Sequence, residues 1–564
     1  MGNDAEAMLQ PGAAGTAPRA LRRRRPGVAG ILLLLMAAAI LMQVELVFSK
    51  SINWDEFFHF SLILRHLQGR PVQWLQTPFV WLFPWVASVP GDNIDHIQLI
   101  RLLLLPFELA AVAAIVAAAR GFTGLEEALF CGLLYITGGY VFLHAFALRA
   151  DMIAGCLLTV ALWMGICRPW RIPQIAAITV LVALAFASTI KSVLFAPALL
   201  GMTLYRVKSP AHRWALMGTV IAFIGGGVLL LWAWPVLPAT GIGAALRDVG
   251  RLGQASVARM FSAGLFPQHE WLLQQILRAP VLTVLLLVAP ASIIRSGRPA
   301  AERMLLLSLL LPLCSVLVYR NAFPYFFAFI LPPATIAAAP AVAWLHRRCG
   351  VVVPSLLLVG IAVILSLAED RSVLGRQRTI EAGLHEIFPS PVTYIDDCGF
   401  IGDFPRAVNH YASGWAQAAY RSAGVPAYTI AMESEPVPLV LNSVFPLDSL
   451  CFDFILRGAL LPADEQSIST NYIQHWGDAF VAGKRFPPGE EAVAFQMGIP
   501  GTYTVEGGAI VVDGGHYEVG DTLQLSRGGH VAGGKRTATV TLRWGDHLHR
   551  PAYPWPSGPV FTQF

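Results

Sequence analysis

The feature that most constrains this chain is a succession of apolar runs, each about as long as a bilayer is thick. The first, Val28 to Phe48, follows directly on Arg22 to Arg25. Crossing hydrocarbon takes about 20 apolar residues in a helix, because each backbone polar group must be paired within the segment. Further runs near 97–119, 126–147, 152–167, 173–190, 193–205, 214–236, 279–294, 304–319, 323–344 and 351–368 bring the expected total to about eleven spans. Only 13% of residues are charged, against roughly 25% in soluble domains. With a mean hydropathy of +0.58, so little charge cannot cover several water-facing surfaces. A soluble multidomain enzyme, a disordered scaffold and a nucleic-acid binder are excluded. The net charge of +5 marks no basic partner, because membrane chains gather Lys and Arg in their cytoplasmic loops.

Residues 1–27 read as a disordered cytoplasmic tail, and the first run as an uncleaved anchor. From a cytoplasmic start, alternating sides put Arg120, Arg168 with Arg171, Arg206 with Lys208 and Arg213, Arg295 with Arg298 and Arg303, and Arg347 with Arg348 all inside. An odd number of spans leaves everything after 368 on the other side. There the composition changes, and the runs become too short to cross. Ala538, Val540, Leu542 and Trp544 alternate with polar residues, as in a half-buried strand, and the Gly pairs at 507/508, 514/515 and 528/529 mark turns. The expected architecture is an α-helical multispanning membrane domain, 28–368 with an external loop 49–96, followed by a soluble β-rich or α+β domain, 369–564. That domain holds two cysteines, Cys398 and Cys451, a disulfide candidate if it faces an oxidising space.

Charge beside a membrane span is costly, so the few such residues are functional candidates. Asp55 and Glu56 follow the first span within NWDEFFHF. Arg149 and Asp151 open a later one, Lys191 closes the run before it, and Arg320 precedes Tyr325 in YRNAFPY. The topology puts all of these at one external face. Carboxylates there supply a general base or bind hydroxyls, and Lys and Arg suit a phosphate. His59 lies one helical turn beyond Asp55. The aromatic loop 70–90, with Trp74, Phe79, Trp81, Phe83 and Trp85, suits an interfacial wall or gate for a lipid tail.

In these motifs the chain resembles the GT-C superfamily of multispanning glycosyltransferases, especially the aminoarabinose transferases of lipid A and the protein O-mannosyltransferases. The matching elements are Asp55-Glu56 for the acidic pair of the first external loop, Arg149 and Asp151, Lys191 at the end of ALAFASTIK, and Arg320 with Tyr325 in YRNAFPYFFAFILPP. Ser192 stands where many relatives have Gly. The resemblance covers roughly 28–370 and implies an inverting transfer of sugar from a polyprenyl-phosphate donor to a lipid, glycan or protein hydroxyl. Asp55 would be the base, Glu56 and Asp151 would orient the acceptor, and Arg149, Lys191 and Arg320 with Tyr325 would bind the donor phosphate. No cofactor is required, although relatives hold a divalent cation and these carboxylates are able to.

Each residue also has a plain reading: a helix start for Asp55 and Glu56, a local ion pair for Arg149 and Asp151, snorkelling for Lys191 and Arg320, a packed ring for His59. Asp546, His547 and His549 look metal-like but lack a further ligand in view. Two other functions compete: a transporter or flippase of lipid-linked sugars, which would carry charge nearer the bilayer midplane, and a non-catalytic scaffold whose external module binds glycan. Gly, Ala and Arg usage suggests a high-GC bacterium, hence an inner membrane with the last domain periplasmic.

Overall fold

In the computed structural model, residues 27–72, 76–206, 260–408, 414–442 and 460–562 are described. The expected tail, Trp74, the 214–236 run and Cys451 lie outside them. The chain is a multi-pass membrane protein whose first half is helical and whose last third carries the strands. Among the described residues, five helices are long and apolar enough to cross, beginning with Gly27–Ser49 and Asn93–Ala119, and two bent pairs raise the number to seven. The eleven expected spans are therefore not all single rods.

The interruptions have local causes. The 126–147 run divides into helices Leu125–Ile136 and Tyr140–His144 at Gly138-Gly139. Gly139 has φ +63°, and the side chain of Gln275 lies where its Cβ would be. That amide donates to the Gly138 carbonyl at 3.0 Å and accepts from the Tyr140 N–H at 2.9 Å, replacing helix pairs lost at the break. Gln275 belongs to helix His269–Arg278, which meets Pro280–Ile294 at 101°. The 193–205 run becomes a 3-10 turn, Ile190–Phe195, leading into helix Ala196–Arg206.

The aromatic loop holds both buried and exposed rings. Phe79 and Phe83 are buried against Phe57, Phe60 and Ile97, and of the pair Phe83 and Trp85 only Trp85 is half exposed. The loop packs on the protein because its aromatic residues fill the junction between the membrane helices and the strand-bearing part.

That junction is tightly tied. Lys50, just past the first helix, pairs with Glu369 at 2.6 Å. On helix Ser372–Ile387, fully buried Gln377 accepts from the Ile52 N–H at 2.9 Å and donates to the Ile52 carbonyl at 2.7 Å and the Val560 carbonyl at 2.9 Å. The last described residues return to the same place. Phe561 meets Phe57 and Phe400 edge-on at 5.9 and 6.0 Å, and the Thr562 and Ser51 hydroxyls lie 3.2 Å apart.

Beyond it the described residues form eleven strands: β1 Tyr394–Ile395, β2 Leu439–Leu441, β3 Tyr472–Trp476, β4 Ala479–Phe486, β5 Val493–Met497, β6 Gly501–Glu506, β7 Ile510–Val512, β8 Gly515–Tyr517, β9 Thr522–Leu525, β10 Gly528–Gly533 and β11 Val540–Trp544. Seven form one sheet in the order β1-β2-β4-β11-β6-β9, with β3 also on β4, and four form a second, β5-β10-β7-β8. β1 and β2 run parallel, joined through helical segments, so the part is α+β. Gly507 and Gly514 take φ +85° and +83° at turns, whereas Gly528 and Gly529 begin β10. In β11, Val540 and Leu542 are fully buried, as alternation requires, but Ala538 lies exposed before the strand and Arg543 is buried where alternation predicts exposure, its guanidinium paired with Glu506 at 2.8 Å.

Candidate active site

The site is built on helix Trp54–Leu67. Asn53 caps it: its side chain accepts from the Asp55 N–H at 3.0 Å, and Glu56 reaches back to the Asn53 N–H at 3.1 Å. This reciprocal pairing is why the NWDE stretch starts a helix here. Asp55 is thereby presented in the first turn, beside the opening of helix Ala150–Cys167, where Arg149 is the cap residue.

Arg149 is the centre of the cluster. Its guanidinium pairs with Asp55 through Nη1 and with Asp151 through Nε at 3.2 Å. The other oxygen of Asp151 accepts from Lys191 Nζ at 2.6 Å. Beneath both cations lies the ring of Tyr325, 3.2 Å from the Arg149 guanidinium carbon and 4.8 Å from Lys191 Nζ. Two cations and two carboxylates thus balance over one aromatic face. Their side chains are 7–14% exposed, occluded but reachable. Lys191 is held by its turn: Thr189 caps it, and Gln76 binds the Ile190 N–H. The Ser192 hydroxyl donates to the Ala185 carbonyl at 2.8 Å, so the residue that replaces the relatives' Gly is absorbed structurally.

Glu56 stands differently from Asp55. It is 1% exposed, and its two oxygens accept from Arg101 Nε at 2.8 Å, Arg101 Nη2, the Leu148 N–H at 2.9 Å and the Asn53 N–H. A carboxylate offers about four acceptor positions, and all are taken. Glu56 is left nothing with which to orient an acceptor; it fixes instead the backbone that presents both Asp55 and Arg149.

Arg101 itself escaped the sequence reading. From helix Asn93–Ala119 it donates to Glu56 and to the carbonyls of Val47, Lys50 and Ser51, filling its five N–H groups. Those carbonyls close the first helix, whose end favours a cation. The signal was available: an Arg inside an otherwise apolar run is by itself a candidate.

Arg320 is tied to its neighbours through its backbone. Its backbone N–H bonds the Met260 carbonyl, and its own carbonyl accepts from Gln268 at 2.9 Å. Among the described residues its guanidinium pairs with none of Asp55, Asp151 or Glu56. A small cavity beside Arg149 and Tyr325 is lined instead by Lys50, Arg101, His144 and Thr562. His144 is 8% exposed and its Nε2 has no partner among the described residues. His59 packs its ring 4.6 Å from Phe79. Burial first, then the Arg149 charge, pushes its pKa down to about 3, so it is a neutral ring at physiological pH.

Cys398 is buried, and the partner proposed for it, Cys451, falls outside the described residues. Among the described residues, no three His, Cys, Asp or Glu side chains are placed to hold a metal. Asp55 and Asp151 are both engaged by Arg149, so the residues present do not fit a divalent ion.

A helical membrane part whose charged cluster stands where helices Trp54–Leu67 and Ala150–Cys167 begin, followed by an α+β part, is an architecture shared with solved membrane proteins. The chain resembles the crystal structure of ArnT from Cupriavidus metallidurans bound to undecaprenyl phosphate, with a TM-score of 0.54 and 14% identity over 80% of this chain and 98% of that one. The apo state of the same protein matches with a TM-score of 0.52 and 13% identity, over 81% and 98%. The Archaeoglobus fulgidus oligosaccharyltransferase in complex with Zn and sulfate aligns at 0.46 and 14%, over 78% and 71%. No family model matches the chain, and no curated protein matches it by sequence.

Proposed function

We propose that the protein is an inverting glycosyltransferase that moves a sugar from a polyprenyl-phosphate donor to an acceptor hydroxyl. The observation that supports this reading is the Asp55–Arg149–Asp151–Lys191 chain over Tyr325, in which two carboxylates and two cations lie within one side chain of each other.

The chemistry follows from that arrangement. The acceptor oxygen attacks the anomeric carbon and its proton passes to Asp55. The bond from that carbon to the phosphate oxygen breaks, and its electron pair leaves on the phosphate. Negative charge develops there, where Arg149 and Lys191 stabilise it. Before the donor arrives Arg149 is held by Asp55. A donor phosphate competes for that guanidinium and releases Asp55 to accept a proton, so the base becomes available when the donor is bound. Asp151 keeps Lys191 and Arg149 over the Tyr325 ring. Glu56 acts through the backbone as a positioning residue. The phosphate leaves as a weakly basic group, and the step needs no further Lewis acid.

The undecaprenyl phosphate of the ArnT structure supports the donor class. The acceptor is a lipid, glycan or protein hydroxyl. We place the site and the strand-bearing part on the periplasmic side of a bacterial inner membrane. Asp55, Arg149 and Asp151 stand where helices begin, which favours transfer over transport.

The test is Asp55→Asn in purified membranes supplied with a radiolabelled polyprenyl-phosphate sugar. Transfer should fall by a factor of about 10² to 10⁴, the usual worth of a general base, while the protein still inserts and melts normally. Undiminished turnover would remove Asp55 as base and, with it, this reading.

A further inference from the structure

A second cavity, of about 410 Å³, lies in the strand-bearing part and shares no lining residue with the cavity beside Arg149. It opens between the end of helix Ser372–Ile387 and the edges of β6 and β11. Phe388, Trp544 and Leu548 supply its apolar wall, and Ser390, Thr502 and Asp546 its polar one. Its size falls in the range of small-ligand sites, roughly 300–1,000 Å³.

The lining selects a chemistry. No Lys, Arg or His is among the described residues that line it, so it does not suit a phosphate or carboxylate. Trp544, 6.2 Å from Phe388, offers an aromatic wall. Asp546 accepts from its neighbour His547 at 2.6 Å with one oxygen, and the other takes no hydrogen bond among the described residues. Thr502 Oγ1 accepts from Gln524 at 2.6 Å and keeps its own proton to donate. An aromatic surface edged by a carboxylate and hydroxyls matches a pyranose ring, which has an apolar C–H face and a rim of hydroxyls.

The loop that carries Asp546 is held in place. Gly545 donates to the Thr502 carbonyl at 2.8 Å. The Thr504 hydroxyl accepts from the His547 N–H at 2.9 Å and donates to the Gly545 carbonyl at 2.7 Å. His547 has φ +53°, a left-handed conformation that residues other than Gly seldom adopt and that persists where the surroundings enforce it. His549 turns toward Glu386 at 3.7 Å, and no three-ligand metal group forms here among the described residues, so the metal-like reading of this stretch gives way.

We propose that this cleft binds carbohydrate: a pyranose ring stacks on Trp544 and hydrogen-bonds through its hydroxyls to Asp546, Thr502 and Ser390. The site is separate from the charged cluster and does not depend on transfer activity there.

The full chain in lipid nanodiscs, probed by saturation-transfer NMR with tetrasaccharides of glucose, N-acetylglucosamine, mannose and galactose, tests this. At least one probe should receive saturation from aromatic protons. Asp546→Ala and Thr502→Val should each weaken that binding about tenfold, the scale of one hydrogen bond to a charged or polar group. Asp546 is exposed, so its substitution leaves the melting temperature unchanged, and it carries the test if Thr502→Val fails to fold. Asp55→Asn should leave the binding intact, which separates this site from the proposed active site. Absence of saturation with all four probes overturns the proposal, as does binding that survives Asp546→Ala or is lost in Asp55→Asn.

Discussion

At the scale of single residues, the distinction that matters is between two adjacent carboxylates. Asp55 is presented toward Arg149, whereas Glu56 is locked under Arg101 with each lone pair used. Removing one partner of a buried ion pair leaves the other charge uncompensated, at about 3–5 kcal/mol. Glu56→Ala is therefore expected to lower the stability of the detergent-solubilised protein by about that amount, measured by thermal denaturation. An unchanged melting point with lost turnover would return Glu56 to the substrate. Asp55, Arg149, Asp151 and Lys191 stood out in the sequence, because charge next to apolar runs is conspicuous, whereas Tyr325 was named only through the resemblance carried by YRNAFPYFFAFILPP. Arg101 was not, because it hides within a run whose apolar character absorbed it, and the pairing that separates Glu56 from Asp55 comes from a helix about 45 residues further on.

At the scale of elements, the junction between helix Ser372–Ile387 and helix Asn93–Ala119 sets a pH dependence. Asn93 donates to Glu381 at 2.7 Å, and His385 pairs with Asp403 at 2.9 Å. The hydrogen bond that His385 donates to Asp403 outweighs burial and raises the His385 pKa to about 9 from 6.5. A raised folded-state value means that the imidazolium stabilises the fold fully below about pH 6.5 and that this contribution is lost as pH rises through about 9. The melting-temperature gap between the wild type and His385→Ala should accordingly be widest below pH 6.5 and close above pH 9; a gap that widens with pH contradicts the pairing. Periodicity located these helices, and alternation located β11. Neither showed the breaks at Gly138-Gly139 or before Ala196, since hydropathy is insensitive to a turn whose backbone groups are paired by a distant side chain such as Gln275.

At the scale of the whole molecule, the two parts are held together by a returning strap. Phe561 is buried between Phe57 and Phe400, Arg376 binds the Pro559 carbonyl at 2.9 Å, and Thr562 lines the cavity beside Arg149. The strap thus forms part of the site's wall. Ser51→Cys with Thr562→Cys should form a disulfide under mild oxidation, identified by peptide mass spectrometry, without loss of folded protein. Failure of the pair to crosslink while the protein remains folded would show that the strap does not rest there. The sequence by itself determined that the chain crosses a membrane many times, that a few acids and bases stand beside the spans, and that an alternating, glycine-punctuated part follows; these are properties of composition and local period, written residue by residue. Only the tertiary structure decided which carboxylate faces Arg149 and which is locked under Arg101, and that the end of the described chain closes the wall around them. Those outcomes depend on contacts between segments tens to hundreds of residues apart, whose pairing no local pattern encodes.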